Sequence, residues 1–91
     1  MTDIDMYTTA VCGYCNAAKN LLKARGLEWR EIRVDSDASQ RDAMLKRSGG
    51  ARTVPQIFVN GHHVGGYTEL AQADRSGKLA ELLEAAPPPS P

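Results

Sequence analysis

The chain has 91 residues, with eleven basic and eleven acidic side chains and no net charge at pH 7. That length sets one domain. Balanced charge argues against a nucleic-acid or polybasic membrane surface, and no apolar run approaches the roughly 18 residues of a membrane span. The start of the chain, Met1 to Asp5, has no basic region leading into an apolar stretch, so no secretory signal is expected.

Taken in order, Ile4-Asp5-Met6-Tyr7-Thr8 alternates apolar and polar residues and reads as a short strand. Cys12-Gly13-Tyr14-Cys15 follows. From Asn16 to Arg25 the period changes: Ala17, Ala18, Leu21 and Leu22 recur at helical spacing, with Lys19 and Lys23 outside. Gly26 stops this helix. Trp29 to Val34 reads as a second strand, a parallel neighbour of the first, because strand, helix and strand in such a short span make a βαβ unit. Asp35 to Asp37 offers N-cap residues for a second helix, Ser39 to Arg47, with Ala43 and Met44 turned inward. Ser48-Gly49-Gly50 ends it.

Ala51-Arg52-Thr53-Val54-Pro55 then leads into an apolar strand, Gln56 to Val59. Asn60-Gly61 signals a tight hairpin, and His62-His63-Val64 is its return strand. After Gly65-Gly66, Tyr67 to Ser76 reads as a third helix with Leu70, Ala71 and Ala73 as apolar positions. Gly77 interrupts, and Lys78 to Ala86 forms a last short helix. Residues 87–91, rich in proline, cannot continue a helix and are expected to be a disordered tail on a domain of residues 1–86. This order, βαβ-α-ββ-αα, predicts an α/β protein of thioredoxin-like fold: a four-stranded mixed sheet flanked by helices.

Cys12 and Cys15 are the only cysteines. Their spacing places Cys12 at a strand-to-helix turn, next to unpaired backbone N–H groups and the positive end of the helix dipole. Both favour an anion, so the Cys12 thiol is expected to ionise readily, and thiolate is the reactive form. Cys15 falls in the first turn within disulfide reach. Cys12 therefore reads as nucleophile and Cys15 as resolving thiol. A structural zinc site would need further ligands, and the adjacent His62 and His63 point to opposite faces of a strand. A cysteine pair without a secretory signal fits a redox motif in a reducing, cytoplasmic compartment. Elsewhere, Gly65-Gly66 reads most simply as a turn with Thr68 capping the following helix, Trp29 as packing, and Arg41, Arg47 and Arg52 as a solvated face. Arg41 and Arg52 are also placed where either could hold a carboxylate of an acidic substrate.

These pieces together resemble the glutaredoxin family. The matching runs are Tyr7-Thr8-Thr9 before Cys12-Gly13-Tyr14-Cys15, Arg52-Thr53-Val54-Pro55-Gln56-Ile57-Phe58, and His63-Val64-Gly65-Gly66. The resemblance implies glutathione as reductant and co-substrate. Thr53 and Val54 would pair with its cysteinyl backbone, with Pro55 cis. Tyr14 and Arg41 would approach its glycyl end, and Gly66, Tyr67 and Thr68 its γ-glutamyl end, with Glu69 nearby. It also implies partners: glutathionylated or disulfide-bonded proteins, and electrons from glutathione reductase and NADPH, with the chain acting as a monomer. Two alternatives stay open. Some family members with glycine after the first cysteine hold a [2Fe–2S] cluster between two subunits, which would make Cys12 a ligand and the protein a dimer. Another is a redoxin using a different low-molecular-weight thiol. The chain departs from the common family pattern at Gly13, where proline is frequent, at Thr9, where lysine is, and at Glu69, where aspartate is commoner.

Overall fold

A computed structural model describes residues 3–86; the expected Pro-rich tail, 87–91, lies outside the described residues. The chain runs β1 (Ile4–Thr8), α1 (Gly13–Ala24), β2 (Arg30–Arg33), α2 (Ala38–Ser48), β3 (Gln56–Val59), β4 (His62–Gly65), α3 (Tyr67–Ser76) and α4 (Lys78–Glu84). The strands form one mixed sheet in the order β2-β1-β3-β4. β1 is parallel to β2 and antiparallel to β3, and β3 is antiparallel to β4. The parallel β1–β2 pair is the βαβ unit expected from the sequence.

The alternation in β1 serves two buried faces rather than one buried and one wet. Ile4 and Met6 join Ile57 and Val59 under Ala18 and Leu22 of α1, Leu70 and Ala73 of α3 and Leu79 of α4. Tyr7 joins Phe58, Val34 and Met44 of α2 on the other face. All five residues of β1 are buried, because β1 is central in the sheet and both faces are covered. Asp5 is tolerated there because two arginines meet it. Arg30 reaches its Oδ1 at 2.6 Å and Arg47 its Oδ2 at 3.1 Å.

Helix ends follow local chemistry. Asp37 caps α2 by accepting the Ser39 N–H at 2.9 Å, and Gly49 closes it in the left-handed conformation. Asn60 and Gly61 both take positive φ, as a two-residue hairpin turn requires. The last helix ends at Glu84, two residues earlier than its sequence pattern suggests. Asn60 Nδ2 donates to the carbonyls of Leu82 and Leu83, each at 3.0 Å, and so satisfies the terminal acceptors there. No described helix is long and apolar enough to cross a membrane.

Candidate active site

Three loops meet at one end of the sheet: β1 to α1, α2 to β3, and β4 to α3. The first carries the cysteines. Cys12 has extended backbone and is the N-cap of α1, which starts at Gly13, three residues before the helical periodicity becomes visible. Its Sγ accepts the Cys15 N–H at 3.1 Å, so sulfur fills the role usually taken by a hydroxyl or carboxylate oxygen at a helix start. Cys12 and Cys15 are joined by a disulfide, with their Cα atoms 5.2 Å apart. Cys15 is buried and Cys12 is only partly so. This asymmetry leaves the outer sulfur open to solvent and shields the inner one. Val11, 96% exposed, precedes the pair, and Tyr14, 68% exposed, lies within it.

Further local contacts hold this loop. Ala10 N–H donates to Asp35 Oδ2 at 3.0 Å, which ties the approach to Cys12 to the end of β2. The Asp35 carboxyl lies well below the usual range, held there first by hydrogen bonding to Arg33 and then by the Ala10 N–H.

The second loop brings Thr53-Val54-Pro55 alongside. The Val54–Pro55 peptide bond is cis, and the Val54 carbonyl oxygen lies 3.8 Å from Cys12 Sγ. The third loop brings Gly66, Tyr67, Thr68 and Glu69. Glu69 Oε1 accepts the Gly66 N–H at 2.8 Å. The carboxylate of the third helical residue, rather than Thr68, therefore caps the start of α3. Tyr67 stacks on Tyr14, with ring centroids 6.2 Å apart and planes at 24°.

Between these loops lies a groove of about 290 Å³ lined by Tyr14, Thr53, Val54, Pro55, Gly66, Tyr67, Thr68 and Glu69. All eight were singled out from the sequence, and they converge although more than fifty positions separate the first from the last. Arg41 does not join them. It sits exposed near the start of α2 and is absent from the groove lining.

Three residues do more than the sequence reading assigns them. Arg47 is exposed, as a solvated face requires, but it is not free. Its guanidinium donates to Asp5 and to Tyr7 Oη and lies 4.1 Å from the Phe58 ring centroid. Burial lowers its proton affinity, but hydrogen bonds to Tyr7 and Asp5 outweigh this and the net shift is upward. Gln56 and His63, read as strand residues only, make specific contacts behind the groove. The one available signal was Gln56 itself, a polar residue opening an otherwise apolar strand. Among the described residues, no group of three or more His, Cys, Asp or Glu side chains is gathered to hold a metal ion.

A mixed four-stranded sheet with a cysteine pair at the first turn of its first helix defines a dithiol redox protein of the thioredoxin-like class. The glutaredoxin family model matches residues 4–64. The chain is 42% identical over 84 residues to glutaredoxin 3 of Escherichia coli K12, covering 92% of this chain and all of that one. Among solved structures it resembles glutaredoxin from Brucella melitensis, with a TM-score of 0.78, 42% identity and coverage of 92% and 90% of the two chains. It also resembles a buckwheat glutaredoxin–glutathione complex, with a TM-score of 0.79, 30% identity and coverage of 90% and 76%. The chain belongs to the glutaredoxin family and is a thiol–disulfide oxidoreductase acting through Cys12 and Cys15.

Proposed function

We propose that this chain reduces protein–glutathione mixed disulfides and protein disulfides, holding the glutathione moiety in the groove beside Cys12. The observation that carries this reading is the convergence of Tyr14, Thr53, Val54, Pro55, Gly66, Tyr67 and Thr68 on one groove at the cysteines. Val54 lies just outside the sheet, whose β1–β3 pairing begins at Gln56. Its peptide groups suit an extended cysteinyl backbone that adds beside it. The first turn of α3 offers unpaired N–H groups at Tyr67 and Thr68 to the γ-glutamyl carboxylate, while Glu69 supplies negative charge for the neighbouring ammonium. Tyr14 covers the glycyl end. The reading assigns no contact to Arg41.

The steps follow from the geometry. With the pair reduced, the Cys15 N–H and the start of α1 stabilise a Cys12 thiolate. This thiolate attacks the glutathionyl sulfur of a mixed disulfide, the substrate thiolate leaves, and glutathione becomes bonded to Cys12. A second glutathione thiolate attacks the glutathionyl sulfur, releasing oxidised glutathione and regenerating Cys12. With a protein disulfide, Cys12 attacks one sulfur and the Cys15 thiolate then displaces the substrate. That route ends at the Cys12–Cys15 disulfide present here. Glutathione reductase and NADPH would supply the electrons to a monomer working in the cytoplasm. A dithiol that cycles in this way needs a reducing compartment.

The test is glutathione-coupled turnover of a small glutathione mixed disulfide by wild type, Cys12→Ser and Cys15→Ser. Cys12→Ser should be inactive. Cys15→Ser should keep this activity while losing reduction of protein disulfides. Turnover by Cys12→Ser, or a wild type that glutathione cannot reduce but thioredoxin reductase can, would overturn the reading.

A further inference from the structure

Behind the groove, a chain of hydrogen bonds runs from β4 to the loop that precedes β3. Gln56 is buried, and its Nε2 donates to the Thr53 carbonyl at 3.0 Å and to Thr53 Oγ1 at 3.3 Å. On its other side, Gln56 Oε1 lies 2.7 Å from His63 Nε2. His63 is itself held flat against Phe58, with centroids 4.8 Å apart and planes at 24°.

The donor and acceptor inventory of this chain has one solution. The Thr53 carbonyl can only accept, so the amide nitrogen of Gln56 must face it. The amide oxygen then faces His63, and an oxygen can only accept. His63 Nε2 must therefore carry a hydrogen. The Thr53 carbonyl thus sets which way the Gln56 amide points, and the His63 N–H anchors the amide oxygen in that orientation. Gln56 in turn fixes Thr53, occupying both its carbonyl and its hydroxyl.

We infer that His63 and Gln56 are positioning residues that hold the Thr53–Val54 segment of the groove in its ligand-accepting conformation. The inference rests on the reading of this groove as the glutathione site. Neither side chain lines the groove, so both act through Thr53. Because the Thr53 carbonyl is engaged, the Val54 peptide is left as the element available to an extended ligand backbone. Without the His63 N–H, the buried Gln56 Oε1 loses its partner, and the side chain holds Thr53 less firmly.

The variants are His63→Leu, which keeps an apolar contact for Phe58 but has no donor, and His63→Gln, which restores one. His63 is exposed, so both should fold. Two readouts are taken on wild type and variants. Nitrogen NMR of the imidazole, with Thr53 and Val54 amide shifts, reports the chain of bonds without any ligand. Turnover of a small glutathione mixed disulfide, with kcat and KM separated, reports its consequence. Neutral His63 should be the Nε2–H tautomer. His63→Leu should move the Thr53 and Val54 amides and raise KM about three- to tenfold at unchanged kcat, the range for one lost neutral hydrogen bond. His63→Gln should restore most of it. A neutral Nδ1–H tautomer, or wild-type KM in His63→Leu, would overturn the inference. Amide shifts that move as expected in a protein with no glutathione-dependent turnover would instead overturn the glutathione reading and leave the bond chain standing.

Discussion

Gly65 and Gly66 stand side by side, yet they should respond differently to alanine. Gly65 has φ +120°, a conformation rarely open to residues with a side chain. A Cβ there would also sit 2.9 Å from both Cγ and Oε1 of Glu69. The backbone strain costs about 1–3 kcal/mol. Relief of the clash requires Glu69 to swing away, which breaks its 2.8 Å bond to the Gly66 N–H and adds about 1 kcal/mol. Gly65→Ala should therefore lose about 2–4 kcal/mol, a fall in Tm on the order of 10–20 °C for a domain of this size. At Gly66 the φ is −90°, and an added Cβ meets Glu69 Oε1 at 3.3 Å and Pro55 O at 3.4 Å. Gly66→Ala should cost about 1 kcal/mol or less. Urea unfolding of both variants, each also in a Glu69→Ala background, separates the contributions. In that background Gly65→Ala should retain the backbone part of its cost and only the milder 3.1 Å approach to the remaining Cβ of residue 69. Stability within about 0.5 kcal/mol of wild type for Gly65→Ala would refute the strain argument. An equal cost in both backgrounds would refute the clash argument.

Three further outcomes are expected. Arg47→Met should destabilise by about 2 kcal/mol from lost bonds to Asp5 and Tyr7 and the cation over Phe58, while Arg30 still neutralises Asp5; chemical denaturation reads this directly. Gly13→Pro should stabilise by about 0.4–1 kcal/mol. Gly13 is the first residue of α1, the preceding Cys12 is already extended, and an added Cβ meets nothing within 4 Å; a lower urea midpoint would show the turn to be incompatible. Finally, the Glu31 carboxyl is held below its ordinary value of 4.5, first by Lys19 and, against the cost of burial, by Thr8 as well. A depressed folded pKa gives stability that is full above the unfolded value and lost as pH falls through the folded one. Wild type should therefore lose this contribution below about pH 4.5, and Glu31→Gln should show a flatter acid limb in a stability-versus-pH series; identical slopes would refute the linkage.

The sequence by itself determined the order of strands and helices, the hairpin at Asn60-Gly61 and the cysteine pair at a helix start. These are local properties, carried by periodicity, turn residues and spacing within about ten positions. It also named the groove, mostly through family resemblance, since nothing in the periodicity of Thr53 or Gly66 marks a binding surface. Tertiary structure alone decided which polar residues do more than face water. Arg47 looks like any charge on an amphipathic helix until β1 places Asp5 and Tyr7 beneath it, forty positions away in the chain. Gln56 and His63 look like ordinary strand residues until the β3–β4 hairpin brings the ring and the amide together. Arg41 shows the converse: its position suggested a ligand, and the fold leaves it outside the groove. Hydrogen bonds between distant segments depend on which faces of the sheet each helix covers, and that is settled by burial of the whole apolar pattern rather than by any one stretch of it.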